Sequence, residues 1–190
     1  MKKNLITAVL MTIATTILLG VVYPLVVTAV VQVLFKDKAN GQIIHRDGEA
    51  IGSRIIAQPF TSQKYFHPRP SNAGNGFDAA NSGGTNYAST NQKLVERVRT
   101  DATSLHQENP NQQIPVDLLT TSASGLDPEI SPAAAEFQVP RVARERGLSE
   151  AVVRDLVRRH TYQRDLGLLG EPRVNVLELN LDLDSQSTNH

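Results

Sequence analysis

The sequence predicts a single N-terminal transmembrane helix followed by a small α+β extracytoplasmic domain. Residues 5–35 contain no charged side chain, and this stretch is longer than the roughly 20 apolar residues that a helix needs to cross a bilayer. After it, short β-branched stretches alternate with stretches whose apolar residues recur at helical spacing. The chain has 190 residues, which is enough for one domain with its own core.

The apolar segment is interpreted as an uncleaved membrane anchor. A signal peptide is the alternative, but its apolar region is only about 7 to 15 residues long. Gly20 and Pro24 lie near the middle of the segment. A proline leaves one helix carbonyl without its N–H donor, and a neighbouring helix can supply a hydrogen-bond partner for it. Both are therefore candidate contacts with a partner helix.

The orientation of the anchor follows from the lengths of its two flanks, because lysine and arginine residues occur on both sides of it. The short N-terminal tail stays inside more easily, and a long C-terminal domain is translocated largely regardless of its charge. We therefore expect residues 1–4 in the cytoplasm, residues 5–35 in the membrane and residues 36–190 outside.

The first part of the outer domain reads as a hairpin followed by a long ordered loop. Residues 42–45 and 54–57 are β-branched pieces on either side of Asp47-Gly48, a turn signal. Residues 59–90 are rich in Gly, Pro, Asn and Ser, and long ordered loops are often functional. Prolines on both sides of Arg69 hold its backbone rigid, so Arg69 is either a plain loop residue or an anchor for a partner.

A helix and a strand are predicted next. Ser89 or Thr90 can cap a helix that ends near Asn109-Pro110. Its apolar residues recur at helical spacing, at Leu94, Val98, Ala102 and Leu105. Residues 116–120 are then predicted to form a short strand.

Three helical pieces and a last strand complete the prediction. Ser131-Pro132 is a preferred start for a helix, which Pro140 is expected to interrupt. A second piece should end at Gly147, and Ser149 can cap a third. Leucines alternate with polar residues over residues 177–184, which predicts a half-buried strand, and residues 185–190 are expected to be disordered.

The stretch Ser122-Ala123-Ser124-Gly125-Leu126-Asp127 raises the question of a serine nucleophile. A G-x-S-x-G elbow needs glycine on both sides of Ser124, and position 122 is serine. A triad of Ser124, Asp127 and a histidine stays open from sequence alone. The favoured interpretation is a turn in which Asp127 bonds to nearby backbone N–H groups.

The sequence gives little support for a phosphate-binding loop or a metal site, and no catalytic residue is assigned. The glycine-rich NSGGTN lacks the lysine of a phosphate-binding loop, and the five histidines lack metal-ligand spacing, so no metal site is predicted. Basic and acidic residues are equal in number, at 19 each, which argues against nucleic-acid binding.

Several motifs, taken together and in order, make this sequence resemble the C subunit of the Kdp potassium-transporting P-type ATPase. The resemblance covers nearly the whole chain. It rests on the anchor with its mid-span proline and on YFHPRPSN, NSGGTN with the later TNQKL, SASGLDPEISPAAAEFQVPRVARERGL and GEPRVNVLELNLDLD.

The resemblance implies a non-catalytic accessory subunit of a bacterial inner-membrane complex, with its domain in the periplasm. The implied partners are a channel-like A subunit, an ATP-hydrolysing B subunit and a small single-span F subunit, with membrane lipid around the anchor. It further implies a catalytic chaperone that raises the ATP affinity of the B subunit. A transient ATP contact would fall on Gln138 in the FQVPR stretch, and Arg141 in the same stretch is a candidate partner contact.

Two other classes of function remain as alternatives. One is a membrane-anchored periplasmic serine hydrolase that uses Ser124. The other is a free-standing anchored binding module.

Overall fold

The computed structural model describes residues 1–187 of the chain. These divide into two compact units, residues 1–43 and a second unit that begins at residue 44. Each unit is described by itself.

The N-terminal unit is dominated by one helix of 33 residues, Lys2–Leu34, which is apolar and long enough to cross a membrane. It consists of α1 (Lys2–Ile17), a π-helical turn (Leu18–Val22) and α2 (Tyr23–Leu34), and a short α3 (Lys36–Ala39) follows. The π turn lies just before Pro24, and in it the Tyr23 N–H donates to the carbonyl of Leu18. The helix is therefore continuous past Pro24, with a single wide turn before the proline.

The predicted hairpin is present, but its second strand comes earlier than the sequence suggested. β1 (Ile43–Arg46) and β2 (Glu49–Ser53) pair across the turn at Asp47-Gly48. Both turn residues have positive φ, at 54° and 85°, as a tight two-residue hairpin turn requires. The prediction of a second strand at residues 54–57 was wrong, because so short a turn pairs the residues directly after it.

The long loop and the helix after it are present as predicted, but the predicted cap at Ser89 or Thr90 was wrong. Residues 59–90 contain no helix or strand, and several of them bond to later parts of the chain. α4 (Gln92–Glu108) follows, and its cap is Asn91, whose side chain accepts from the Lys93 N–H. The strand predicted at residues 116–120 is absent, and Val116–Leu118 form a 3-10 turn after Pro115.

α5 (Pro132–Arg146) is one helix and is not interrupted at Pro140. Ser131 caps it by accepting from the Ala134 N–H at 3.0 Å, and it ends at Gly147 with a left-handed φ of 65°. The predicted break was wrong because Pro140 and Glu136 lie on the partly exposed side of the helix. There water can hydrate the carbonyl that the proline leaves without a donor.

The strand predicted at residues 177–184 is also wrong, because these residues lie in α7 (Val176–Ser187). The strand ends earlier, as β5 (Arg173–Asn175). Val176, Leu179 and Leu183 are buried and lie three and four positions apart, which is helical spacing. α7 includes part of the segment expected to be disordered, and residues 188–190 lie outside the described residues.

The core of the second unit lies between a three-stranded sheet and three helices. The sheet is antiparallel with the order β3-β5-β4, and the remaining elements are β3 (Glu129–Ile130), α6 (Glu150–Arg159) and β4 (Thr161–Tyr162). α5 packs against α6, and α6 packs against α7. The largest fully buried apolar side chains are Phe66, Phe137, Leu156, Leu179 and Leu183, so the long loop contributes Phe66 to the core. The predicted α+β class of the domain is confirmed.

Candidate functional site

Two buried amide side chains hold neighbouring residues of the long loop. The Gln138 Oε1 accepts from the His67 N–H at 2.8 Å, and its Nε2 donates to the His67 carbonyl at 3.1 Å. The Asn180 Oδ1 accepts from the Phe66 N–H at 2.8 Å, and its Nδ2 donates to the Phe66 carbonyl at 2.9 Å. Each amide thus pairs with one backbone residue as a neighbouring strand would. We call Gln138 and Asn180 the amide clamp.

The helices place both amides in the interior. Gln138 lies on the buried face of α5 and Asn180 on the buried face of α7, and each is 1% exposed. A buried amide without partners costs free energy, so both side chains have a structural reason to bond to the loop. Sequence reasoning missed Asn180. The feature of the sequence that could have identified it is its position directly after Leu179, on the buried face of α7.

Arg141 extends the clamp to the preceding loop residues. Its Nη2 donates to Gln138 Oε1 at 2.7 Å, its Nε to Glu108 at 2.8 Å, and its Nη1 to the carbonyls of Tyr65 and Gln63. The residue is only 2% exposed, and its charge is balanced by Glu108. The structure therefore places this candidate partner contact inside the domain, where it orders the loop.

His67 is held neutral by its surroundings. Burial lowers the pKa of His67 below its usual 6.5, and the positive charge of Arg141 lowers it further. Its Nε2 lies 3.0 Å from the Ser62 carbonyl, an arrangement that suits the neutral tautomer with a proton on Nε2. The histidine thus belongs to the loop architecture.

The Arg69 side chain, between two prolines, bonds to residues of the same domain. It bonds to Asp127 at 3.1 Å, to the Thr121 carbonyl at 3.2 Å and to both the carbonyl and the hydroxyl of Thr120. About a quarter of its side chain remains exposed. Arg69 therefore fixes residues 120–127 against the long loop, and only its exposed part is accessible to a partner.

Asp127 and Ser124 serve the geometry of the turn. The second carboxylate oxygen of Asp127 accepts from the Glu129 N–H at 3.0 Å, and the Ser124 hydroxyl accepts from the Leu126 N–H at 3.1 Å. Within residues 1–187, no hydrogen bond joins a histidine to Ser124. The geometry therefore gives no support to the serine hydrolase alternative.

The same turn is pressed against the glycine-rich part of the loop. The Gly83 N–H donates to the Ser124 carbonyl at 2.8 Å, and the Ser71 hydroxyl donates to the Gly125 carbonyl at 2.6 Å. A Cβ on Gly125 would lie 2.7 Å from the backbone of both Ala73 and Gly83, and its φ is +68°. NSGGTN and SASGLD therefore form a close backbone contact that only glycine permits at position 125.

Two clefts open on either side of Arg69. One, of about 310 Å³, is lined by apolar residues, among them Phe60 and Leu105, and by polar residues that include Asp101, Glu108 and Gln138. The other, of about 540 Å³, is lined by residues that include Asp127, Glu129 and Arg173. Burial raises the pKa of Glu129, against the opposing effect of Arg173.

The cleft that contains Gln138 does not suit a nucleotide triphosphate. All four hydrogen-bonding positions of the Gln138 amide are occupied by His67, Ala134 and Arg141. Two carboxylates line the cleft, and its Arg69 is already bonded to Asp127. ATP contact at Gln138 stays a prediction.

In the part of the chain that the structure describes, no group of three or more potential metal ligands occurs.

The other two candidate contacts lie on the N-terminal helix. Gly20 belongs to the π turn and Pro24 to the first turn of α2. No residue of this helix is buried within its own unit, so both positions are exposed. Their contact with a partner stays a prediction.

Comparison with known proteins gives one consistent family. Residues 5–185 match the family described as K+-transporting ATPase, c chain (KdpC). The chain is 69% identical over 184 residues to the potassium-transporting ATPase KdpC subunit of Koribacter versatilis, covering 97% of this chain and 95% of that protein. It is 51% identical to the subunit of the same name from Rhodopseudomonas palustris and 50% identical to that from Mycobacterium bovis. Each match covers 97% of this chain and 99% of the relative.

Proposed function

Because the chain belongs to the K+-transporting ATPase c chain (KdpC) family, we propose that it is an accessory subunit of an ATP-driven potassium uptake complex. The observation that carries this proposal is 69% identity, over nearly the full length of both chains, to a protein named as a subunit of a potassium-transporting ATPase. A subunit has partner subunits. We propose that these are a channel-like A subunit, an ATP-hydrolysing B subunit and a small F subunit.

We propose that the helix Lys2–Leu34 spans the inner membrane with its N-terminus in the cytoplasm. Its length, its apolar composition and the lack of burial within its unit support a helix surrounded by lipid and partner helices. Gly20 and the π turn beside Pro24 supply a small residue and an irregular surface at which a second helix can pack closely. Protease added to intact spheroplasts should then remove the C-terminal domain, and full protection of the domain would contradict this orientation.

The role we propose for the periplasmic domain is to dock on and stabilise the larger subunits. Four polar side chains of the domain bond to its own backbone and so order the domain internally. They are Gln138, Asn180, Arg141 and Arg69. Such bonds hold a long loop in one shape, and a surface with one shape binds a partner at lower entropic cost. We therefore assign the residues of the clamp to positioning and not to catalysis.

The family resemblance also implies an effect on ATP affinity, and we propose that this effect is indirect. A direct contact would require the Gln138 amide to exchange its four internal bonds for ATP, and would require ATP on the same side of the membrane as the domain. A subunit that stabilises one state of the complex raises the affinity for a nucleotide that binds this state better. It does so without contacting the nucleotide.

Co-purification tests the proposed function. The full chain, tagged and produced together with the other subunits of its complex, should be extracted in mild detergent with two much larger membrane proteins. A chain that is recovered alone as a monomer would favour the anchored binding module instead.

The proposed indirect effect has its own test. In the assembled complex, a variant that loosens the clamp should change ATP affinity only as far as it changes assembly. A raised KM for ATP in Gln138→Ala at wild-type assembly would favour direct contact.

A further inference from the structure

The hairpin between β4 and β5 carries three exposed leucines at its tip. Leu166, Leu168 and Leu169 are 90%, 82% and 61% exposed. Single exposed apolar residues are common on protein surfaces, but three within four positions form a cluster. We call Leu166, Leu168 and Leu169 the leucine knob.

The knob is held in one conformation. Asp165 and Leu169 exchange backbone hydrogen bonds of 2.8 and 2.9 Å, and the Gly167 N–H donates to the Arg164 carbonyl at 3.1 Å. Below the tip, Arg164 pairs with Glu171 at 2.6 Å. A loop whose backbone is preorganised loses less conformational entropy when it binds a partner.

Leu166 is in a backbone conformation that disfavours leucine. Its φ is +54°, in the left-handed region where glycine or asparagine is preferred. Within its own domain the side chain gains nothing in return, because it is almost fully exposed. A contact outside the chain would compensate for this strain.

The charges around the knob distinguish a protein partner from a lipid surface. Arg164 and Arg173 are matched by Asp165 and Glu171, and both carboxylates are more than two-thirds exposed. A loop that enters an anionic bilayer benefits from a basic border, and exposed carboxylates oppose it. An apolar centre with a rim of both charge signs is the usual anatomy of a protein interface.

A cleft at the base of the same hairpin adds a second element of this surface. Glu171, Pro172 and Arg173 line the 540 Å³ cleft beside Arg69, together with Val116, which is 71% exposed. A partner that receives the knob would also reach this cleft.

We propose that the leucine knob inserts into an apolar recess, bordered by charges of both signs, on another subunit of the potassium-transporting complex. This proposal rests on the proposed function, since it requires the chain to be a subunit. It adds the residues that make the contact and the chemistry of the surface that receives them.

Photocrosslinking in the purified complex tests the contact. The full chain carries p-benzoyl-phenylalanine at position 168 or, as a control, at position 158, where the Arg158 side chain on α6 is 78% exposed. We expect a crosslink to another subunit from position 168 in much higher yield than from position 158. Crosslinks only to lipid, only to a second copy of this chain, or in equal yield from both positions would overturn the proposal.

A pair of variants tests the contribution of the leucines to assembly. Leu166→Asn combined with Leu168→Ser should reduce recovery of the complex about tenfold or more, because two apolar side chains leave the interface. Leu168→Met keeps an apolar side chain and should assemble normally. Because asparagine tolerates the left-handed conformation, the double variant should keep the thermal stability of the full chain.

The outcomes separate this proposal from the proposed function. If the wild-type chain does not co-purify with other subunits, the proposed function fails. If it co-purifies and the double variant, with unchanged thermal stability, does so equally well, only the knob contact is wrong.

Discussion

Replacing Gln138 by alanine should destabilise the domain, and the structure allows the size of the effect to be worked out. The change leaves the His67 N–H, the His67 carbonyl and one Arg141 nitrogen without their partner. A buried group left unsatisfied costs about 1–3 kcal/mol. His67 is partly exposed, so water can replace some of the lost bonds. We therefore expect a loss of about 3 kcal/mol in the free energy of unfolding, or roughly 10 °C in Tm for a chain of this size.

The assay is denaturant unfolding of the full chain in detergent micelles, followed by circular dichroism. Gln107→Ala is the matched control, because Gln107 is an exposed glutamine on α4 and its loss should change stability by less than about 0.5 kcal/mol. If Gln138→Ala unfolds at the same denaturant concentration as the wild type, the clamp does not hold the loop and the structural role assigned to Gln138 is refuted.

Three further predictions follow from the same packing. Gly125→Ala should cost about 2 kcal/mol or more in unfolding experiments, because its Cβ meets backbone at 2.7 Å, whereas Gly147→Ala, with a similar φ and open space around it, should cost only about 1 kcal/mol. Lowering the pH through and below about 6.5 should destabilise the wild type more than His67→Gln, because the unfolded chain protonates His67 there while the folded chain, with its lowered pKa, resists protonation; equal pH profiles would contradict this. Asn180→Ala and Gln138→Ala should be non-additive in a double-mutant cycle of unfolding free energies, because they hold the adjacent loop residues Phe66 and His67, and strict additivity would show that the two amides act independently.

The sequence was a good guide where one residue type determines local backbone geometry. The cap at Ser131, the left-handed end of α5 at Gly147 and the turn at Asp47-Gly48 are all confirmed. These features depend on one side chain and its immediate neighbours, so no tertiary information is needed to predict them.

The misassigned last element shows where local patterns become ambiguous. In residues 177–184 every second residue is apolar, which fits a strand, but Val176, Leu179 and Leu183 also fit one face of a helix. The alternation was the more regular of the two patterns. α7 packs against α6, and this contact favours the helix. The contact involves a second element of the chain, so the local pattern does not show it.

The candidate site was only partly predictable for a related reason. Gln138 and Arg141 were identified through a family motif, and Arg69 through its flanking prolines, but none of these patterns indicates which backbone groups they bind. The bonds of the clamp connect residues that are 71 and 114 positions apart. Asn180 had no signal of its own until α7 placed it next to the core.

The most direct test of the account is whether the complex assembles without this chain. A tag on the ATP-hydrolysing subunit is used to purify the complex from cells that produce all subunits, with or without the full chain. We predict that the channel-like and ATP-hydrolysing subunits are recovered together, with potassium-stimulated ATP hydrolysis, only when the chain is present. Equal recovery and equal potassium-stimulated activity in its absence would contradict an accessory role in assembly.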